Sequence, residues 1–267
     1  MRRDLLAPVL AVLGGAIVLA GALVVGNQIG SHSSKPGADN IKVDSIAEML
    51  NGIPQKGIEL GNPNAKLTLV EFSDPQCPLC GEWALTVFPS LVQNYVRSGK
   101  LRIEYAGLAF LDDRPQISEK DSDRLLSLAE AAGLQNKLWN VVELEFENQG
   151  TENTGYATDA YLRGIAQAVK GLNADEALSQ ANTSAVVGFL TAVGNRVPPD
   201  KALSQVNKNA LVRSIYTALV LAEKSLGKQA STPSFLIGRT GSKQTQLIVG
   251  AQPLSAFTKA IDAQLKK

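Results

Sequence analysis

Cysteine is almost absent from this chain: Cys77 and Cys80 are the only two among 267 residues. No cysteine stands beside the N-terminal hydrophobic run, which excludes a lipid-bearing cysteine there. Histidine is scarcer still, with His32 alone. A zinc site needs about four ligands, most often cysteine and histidine. One distant histidine and one cysteine pair do not supply them, so no metal is expected. Charge of one sign is not in excess either. The 26 Lys and Arg against 25 Asp and Glu leave a net +1, which gives no field that would draw nucleic acid.

What is present is concentrated at one point. Cys77-Pro78-Leu79-Cys80 holds all the thiol chemistry of the chain. Leu67 to Phe72 is apolar and rich in β-formers, so it reads as a buried strand. Ser73-Asp74-Pro75-Gln76 is turn chemistry. Glu82 to Phe88, with Leu91 and Val92, carries apolar residues at helical spacing. The order is strand, turn, CxxC, helix. A helix N-terminus presents unpaired N–H groups and the positive end of the macrodipole. Both favour a thiolate on Cys77, the nucleophile of disulfide exchange, with Cys80 deeper as the resolving thiol. The alternative is an inert structural disulfide. It would close a tiny loop, and loop-closure stabilisation grows with loop length.

The N-terminus departs from an ordinary globular composition. After Met1-Arg2-Arg3-Asp4 comes an uncharged run from Leu5 to Gly26, long enough to span a bilayer. Arg2 and Arg3 are expected to stay in the cytoplasm and the rest to lie outside, as a single-pass protein of the cell membrane. A cleavable signal is the second possibility, since Ala20-Gly21-Ala22 fits a small-x-small site, and would make the protein secreted. Outside the membrane, disulfides form and persist. A two-cysteine protein there is better suited to handling the cysteines of others than to stapling itself.

The chain divides by pattern into five parts. Residues 1–26 are the cytoplasmic tip and anchor. Residues 27–56 are a Gly/Ser/Pro-containing linker, in which His32 has no expected role, and a short helix near Ser45–Leu50. Residues 57–115 open an α/β domain with a loop from Gly57 to Ala65, the Leu67 strand, the CxxC helix, and an alternating strand from Leu101 to Ala106. Residues 116–226 read as helices, among them Leu162–Val169 ending at Gly171, one opened by an Asn173-x-x-Glu176 capping box, and a long one through Leu211–Leu226. Trp139 and Phe146 read as core of this part. Residues 227–267 return to strands at Ser234–Ile237 and Gln246–Val249, joined by a Gly/Arg/Thr turn, then a final helix from Pro253.

This layout resembles the thioredoxin fold with a helical insertion, as in DsbA-type thiol:disulfide oxidoreductases of the membrane-anchored, extracytoplasmic branch. The resemblance runs from about Gly57 to Lys267. It rests on Leu60-Gly61-Asn62-Pro63, Val70 to Cys80, Glu145 to Gly150, Ser231 to Gly238 and Val249 to Pro253. It implies that Cys77 is the exposed attacking cysteine, Cys80 its buried partner, and Pro233 a cis-proline beside them. Read from the residues alone, Pro233 simply starts a strand. Thr232, Pro78 and Leu79 are then the residues set against the substrate, with the Thr232 backbone open to strand addition.

Glu71 is the fourth catalytic candidate. It lies within an apolar strand, where a carboxylate is costly unless paired or protonated, and six residues before Cys77. Buried near Cys80, it would have a raised pKa and could take that thiol's proton. Pointing outward, it would be an ordinary surface acid. One departure from the strongly oxidising pattern stands out: Leu79 replaces a thiolate-stabilising histidine, so a less oxidising couple is expected.

The expected activity is that of a dithiol oxidase acting on exported proteins with cysteine thiols. A quinone-linked membrane partner would reoxidise it, and no cofactor beyond the Cys77–Cys80 couple is implied. A reductase or isomerase on the same scaffold is the alternative. A non-enzymatic, chaperone-like module with a structural disulfide is the third.

Overall fold

The structure, a computed structural model, describes residues 41–42, 46–113, 118–227 and 230–266. The Leu5–Gly26 run, most of the linker and His32 lie outside the described residues. Among the described residues no helix is long and apolar enough to cross a membrane.

A six-stranded sheet organises the described chain. The strands are β1 (Gln55–Lys56), β2 (Glu59–Leu60), β3 (Leu67–Ser73), β4 (Leu101–Gly107), β5 (Ser234–Arg239) and β6 (Thr245–Val249). Their order is β1-β2-β4-β3-β5-β6. β3 is central, parallel to β4 and antiparallel to β5. The parallel pair requires a crossover, which the helices after the CxxC supply. This is the thioredoxin-like α/β arrangement, with a helical insertion between β4 and β5. The segment read as a loop from Gly57 is in part a strand. β2 pairs with β4 and carries the hairpin β1–β2 onto the edge of the sheet. Two-residue strands carry too little alternation to be visible as a pattern.

The helix after the CxxC is also not continuous. It runs as α2 (Pro78–Thr86), breaks at Val87, and resumes as α3 (Phe88–Leu91) and a π-turn from Val92 to Val96. Pro89 is the cause. It has no N–H to give the Leu85 carbonyl, and its ring clashes with that carbonyl.

Between β4 and β5 lie α4 (Asp121–Gly133), α5 (Leu138–Glu147), α6 (Asp159–Ala168), α7 (Ala174–Ala181), α8 (Ser184–Gly194), α9 (Pro199–Ser204) and α10 (Ala210–Leu226). The Asn173 side chain accepts from Glu176 N and donates to its carboxylate, closing the capping box. α1 (Ile46–Leu50) packs through Ile46 and Leu50, and α11 (Leu254–Leu265) through Phe257 and Ile261.

Both faces of the sheet are covered. Phe72 and Ala106 meet Ala218 and Ala222 of α10 on one side. On the other side stands a chain of rings. Trp83 packs 4.5 Å from Phe235, Phe88 stacks on Trp139 at 5.3 Å, and Trp139 meets the Tyr105 ring edge-on. Burying each such ring stabilises by about 2–3 kcal/mol. This aromatic layer wedges α2 and α5 against β3, and so determines where the CxxC sits.

Candidate active site

Cys77 is the N-cap of α2, with extended backbone (φ −69°, ψ 119°), and Pro78 opens the helix. Proline is suited there, since its fixed φ is helical and its missing N–H would have had no partner. The Cys77 carbonyl accepts the first helical bonds, from Cys80 N at 3.0 Å and Gly81 N at 3.1 Å. Cys80 is therefore one turn in and fully buried. Both thiols are free. Cys77 is less open than the resemblance implied, at 7% exposed, whereas Pro78 and Leu79 face solvent and Leu79 is half exposed. The reason is the β5 side of the site, where the Thr232–Pro233 bond is cis. There the Thr232 carbonyl lies 3.5 Å from Cys77 Sγ.

The two sulfurs are electrostatically unequal. The Cys77 thiol is pulled down from 9.0 to about 6. The largest cause is the hydrogen bond from Cys80, opposed by burial; the Thr232 side chain and the N–H groups of Cys80 and Leu79 add to the lowering. The two contacts with Thr232 act in opposite senses, since its carbonyl accepts from the thiol while its side chain favours the thiolate; the thiolate prevails. Burial pushes Cys80 well up, and the neighbouring Cys77 adds to this. In the reduced protein, iodoacetamide is therefore expected to label Cys77 with a pH midpoint near 6 and to spare Cys80. Peptide mapping checks this; earlier labelling of Cys80 would reverse the two roles.

Glu71 points inward, not to solvent. It is 1% exposed, and its Oε1 has no protein hydrogen-bond partner. Burial raises its pKa to about 8, with Ser73 lowering it slightly. Across the sheet it is flanked by Tyr105 of β4 and Phe235 of β5. Ser73, two residues on, favours the charged form of both this carboxyl and Cys80.

The turn ahead of Cys77 does more than reverse the chain. Asp74 accepts from Gln76 N, Ser122 Oγ and Leu111 N. Gln76 donates to Asp112 and Ser122 and accepts from Asn153 N. Gln149, just past α5, donates to the carbonyls of Pro75 and Cys77. A Cβ on Gly81 would come within 2.8 Å of the Gln149 amide, so glycine there allows this approach. The helical insertion thus holds the CxxC loop through buried polar bonds, each costly to leave unmade. Sequence reading passed over Asp74 and Gln76 as turn residues. Nothing in the turn marks them, because their partners stand up to 77 residues away.

Cys77 and Cys80 at the start of α2 meet Thr232 and Pro233 ahead of β5, with Glu71 on the neighbouring β3. At that point similarity to known proteins becomes informative. A family model described as thioredoxin matches residues 54–263. The chain belongs to the thioredoxin family. The Bacillus cereus protein named "Probable disulfide bond formation protein D" is 30% identical over 128 residues, 47% of this chain and 55% of that protein. Disulfide bond formation protein D of Bacillus subtilis is 24% identical over 130 residues, 48% and 56% of the two chains. The match thus spans about half the length of these relatives. Among solved structures, oxidised BdbD from Bacillus subtilis superposes with a TM-score of 0.57 at 16% identity, covering 80% of this chain and 98% of that one. Chlamydia trachomatis DsbA does so at 0.52 and 14% identity, covering 78% and 91%. At these identities the two structures support the thioredoxin-family fold alone.

Proposed function

We propose that this protein is an extracytoplasmic thiol:disulfide oxidoreductase working as a dithiol oxidase through the Cys77–Cys80 couple. The observation that carries the reading is the placement of the two thiols, Cys77 as the N-cap of α2 and Cys80 one turn in and fully buried, which pulls Cys77 down to about 6 and pushes Cys80 well up. A low-pKa sulfur at the mouth is a good leaving group, and a stabilised thiolate makes the reduced form favourable and the disulfide oxidising.

In this reading a substrate thiolate attacks Cys77 Sγ of the disulfide and Cys80 leaves. A second substrate thiolate then attacks the substrate sulfur of the mixed disulfide. Cys77 departs as thiolate, and the substrate holds the new disulfide. Thr232 beside Cys77, with exposed Pro78 and Leu79, receives the substrate chain. A membrane partner, quinone-linked, restores the disulfide, and the Leu5–Gly26 run anchors the protein as a single-pass span. The names of the Bacillus relatives support disulfide formation as the reaction class.

Leu79 in place of a histidine favours a moderated couple, and with it the alternative of a reductase or isomerase. The reduction potential decides. Equilibration with glutathione or dithiothreitol buffers is expected to place it between about −270 mV, the thioredoxin value, and about −120 mV, that of strongly oxidising DsbA. A value at or below the thioredoxin one would make the protein a reductase.

A further inference from the structure

A proton that Glu71 takes from Cys80 has no direct way to water, because Glu71 is itself 1% exposed. Helix α5 runs close by. Trp139 on α5 lies 5.9 Å from Tyr105, which is the ladder partner of Glu71. Glu143 follows Trp139 by one helical turn and is 3% exposed. Glu147 follows by another turn and is half-buried at the end of the helix. Residues four apart on a helix are neighbours on one face. Beyond that end, Gln149 reaches the Pro75 and Cys77 carbonyls. The helix therefore passes from the level of Tyr105 to the mouth of the CxxC, with Glu143 midway.

We propose that Glu143 and Glu147 are proton-relay residues that carry the Cys80 proton from Glu71 to solvent. The proposal rests on the oxidoreductase reading and extends it. During reoxidation the Cys80 thiol gives its proton to the Glu71 carboxylate. Its sulfur attacks Cys77 Sγ, the new disulfide forms, and the partner sulfur bound to Cys77 leaves as thiolate. The oxidant is the partner's disulfide, and electrons move only through sulfur. Glu143 passes its own proton to Glu147 and takes the one on Glu71; Glu147 releases to water. Burial first, then the adjacent Glu71 and Glu147, keep Glu143 protonated, which lets it give a proton before accepting one. Other groups around this line are Tyr105 from β4, Cys80 from α2 and Glu145 of α5 itself. α1 brings Glu48, which is exposed, and α4 brings Glu130, whose side-chain partner is Ser214 of α10.

The test is single-turnover oxidation of the reduced protein by oxidised glutathione, followed by tryptophan fluorescence between pH 6 and 9. The Cys77 phase depends on glutathione concentration; the Cys80 phase does not. Glu143→Gln is expected to slow the Cys80 phase roughly tenfold at pH 7 and leave the Cys77 phase unchanged. The gap closes above pH 8, where Glu71 is already ionised. Glu143→Asp restores part of the rate, and adding Glu143→Gln to Glu71→Gln slows it no further. A Glu143→Gln profile superimposable on wild type, with Glu71→Gln slow, overturns the relay and leaves the role of Glu71 standing. Full activity in Cys77→Ser would instead remove the oxidoreductase reading itself. If near-UV circular dichroism shows Glu143→Gln unfolded, Glu147→Gln takes its place. It is expected to slow the same phase roughly threefold with the same pH shape, and a wild-type profile there overturns the proposal.

Discussion

Cys80→Ala is expected to accumulate proteins covalently bound through Cys77. The resolving sulfur sits one turn into α2, within hydrogen-bonding reach of Cys77, and so acts intramolecularly. Its loss removes a large effective concentration, and the lifetime of a mixed disulfide formed when reduced Cys77 attacks a disulfide, the reoxidising partner's included, should rise by on the order of a thousandfold. Non-reducing gels of cells carrying the variant should show new high-mass bands that collapse with dithiothreitol. Cys77→Ser should abolish both the bands and the activity. If Cys80→Ala yields no adducts while Cys77 remains alkylatable, the protein is a binding module with a structural disulfide, and the insertion becomes its working part.

Glu71→Gln is expected to stabilise the protein above neutral pH while slowing exchange. The Glu71 carboxyl titrates near 4.5 when unfolded and near 8 in the fold. Between those values the unfolded chain has released the proton and the folded one has not, so stability falls as pH rises from about 4.5 to about 8. At pH 7 the loss amounts to about 3.5 kcal/mol, from some 2.5 pH units above 4.5 at about 1.4 kcal/mol each. The amide variant avoids it. Urea unfolding at pH 5 and pH 8 should therefore show a flatter pH dependence in Glu71→Gln than in wild type. The slope does not vanish, because Asp74, Asp123 and Glu130 are raised by burial in the same sense. Identical slopes in the two proteins would mean that Glu71 carries its charge in the fold without cost. A strained or costly acid retained beside a reactive sulfur is a common exchange of stability for activity.

Local features were readable wherever one short stretch carries the information. The CxxC after a strand and turn placed Cys77 at a helix start, and Asn173-x-x-Glu176 capped the helix it opened. Trp139 and Phe146 proved buried, as aromatics on an apolar helix face should be. The break at Val87 was written in Pro89 but masked by the helical spacing of the residues around it. β1 and β2 were hidden because each is two residues long and β2 is held to the sheet by β4, more than forty residues away.

Glu71 shows why part of the site could not be read in this way. Leu67, Leu69 and Glu71 alternate with Thr68, Val70 and Phe72, and β3 is packed on both faces. When both faces are apolar, period two does not say which way an acid points. The sequence by itself determined the chemistry: two sulfurs three residues apart, a helix N-terminus to ionise one, and a fold class able to hold them. Only the tertiary structure decided the environment of that chemistry. The Thr232 carbonyl meets Cys77 across 155 residues, Gln149 meets it across 72, and Ser122 meets Asp74 across 48. The reason is physical. A thiol's intrinsic reactivity belongs to its own residue and turn, whereas desolvation and hydrogen bonding depend on which distant groups packing brings against it.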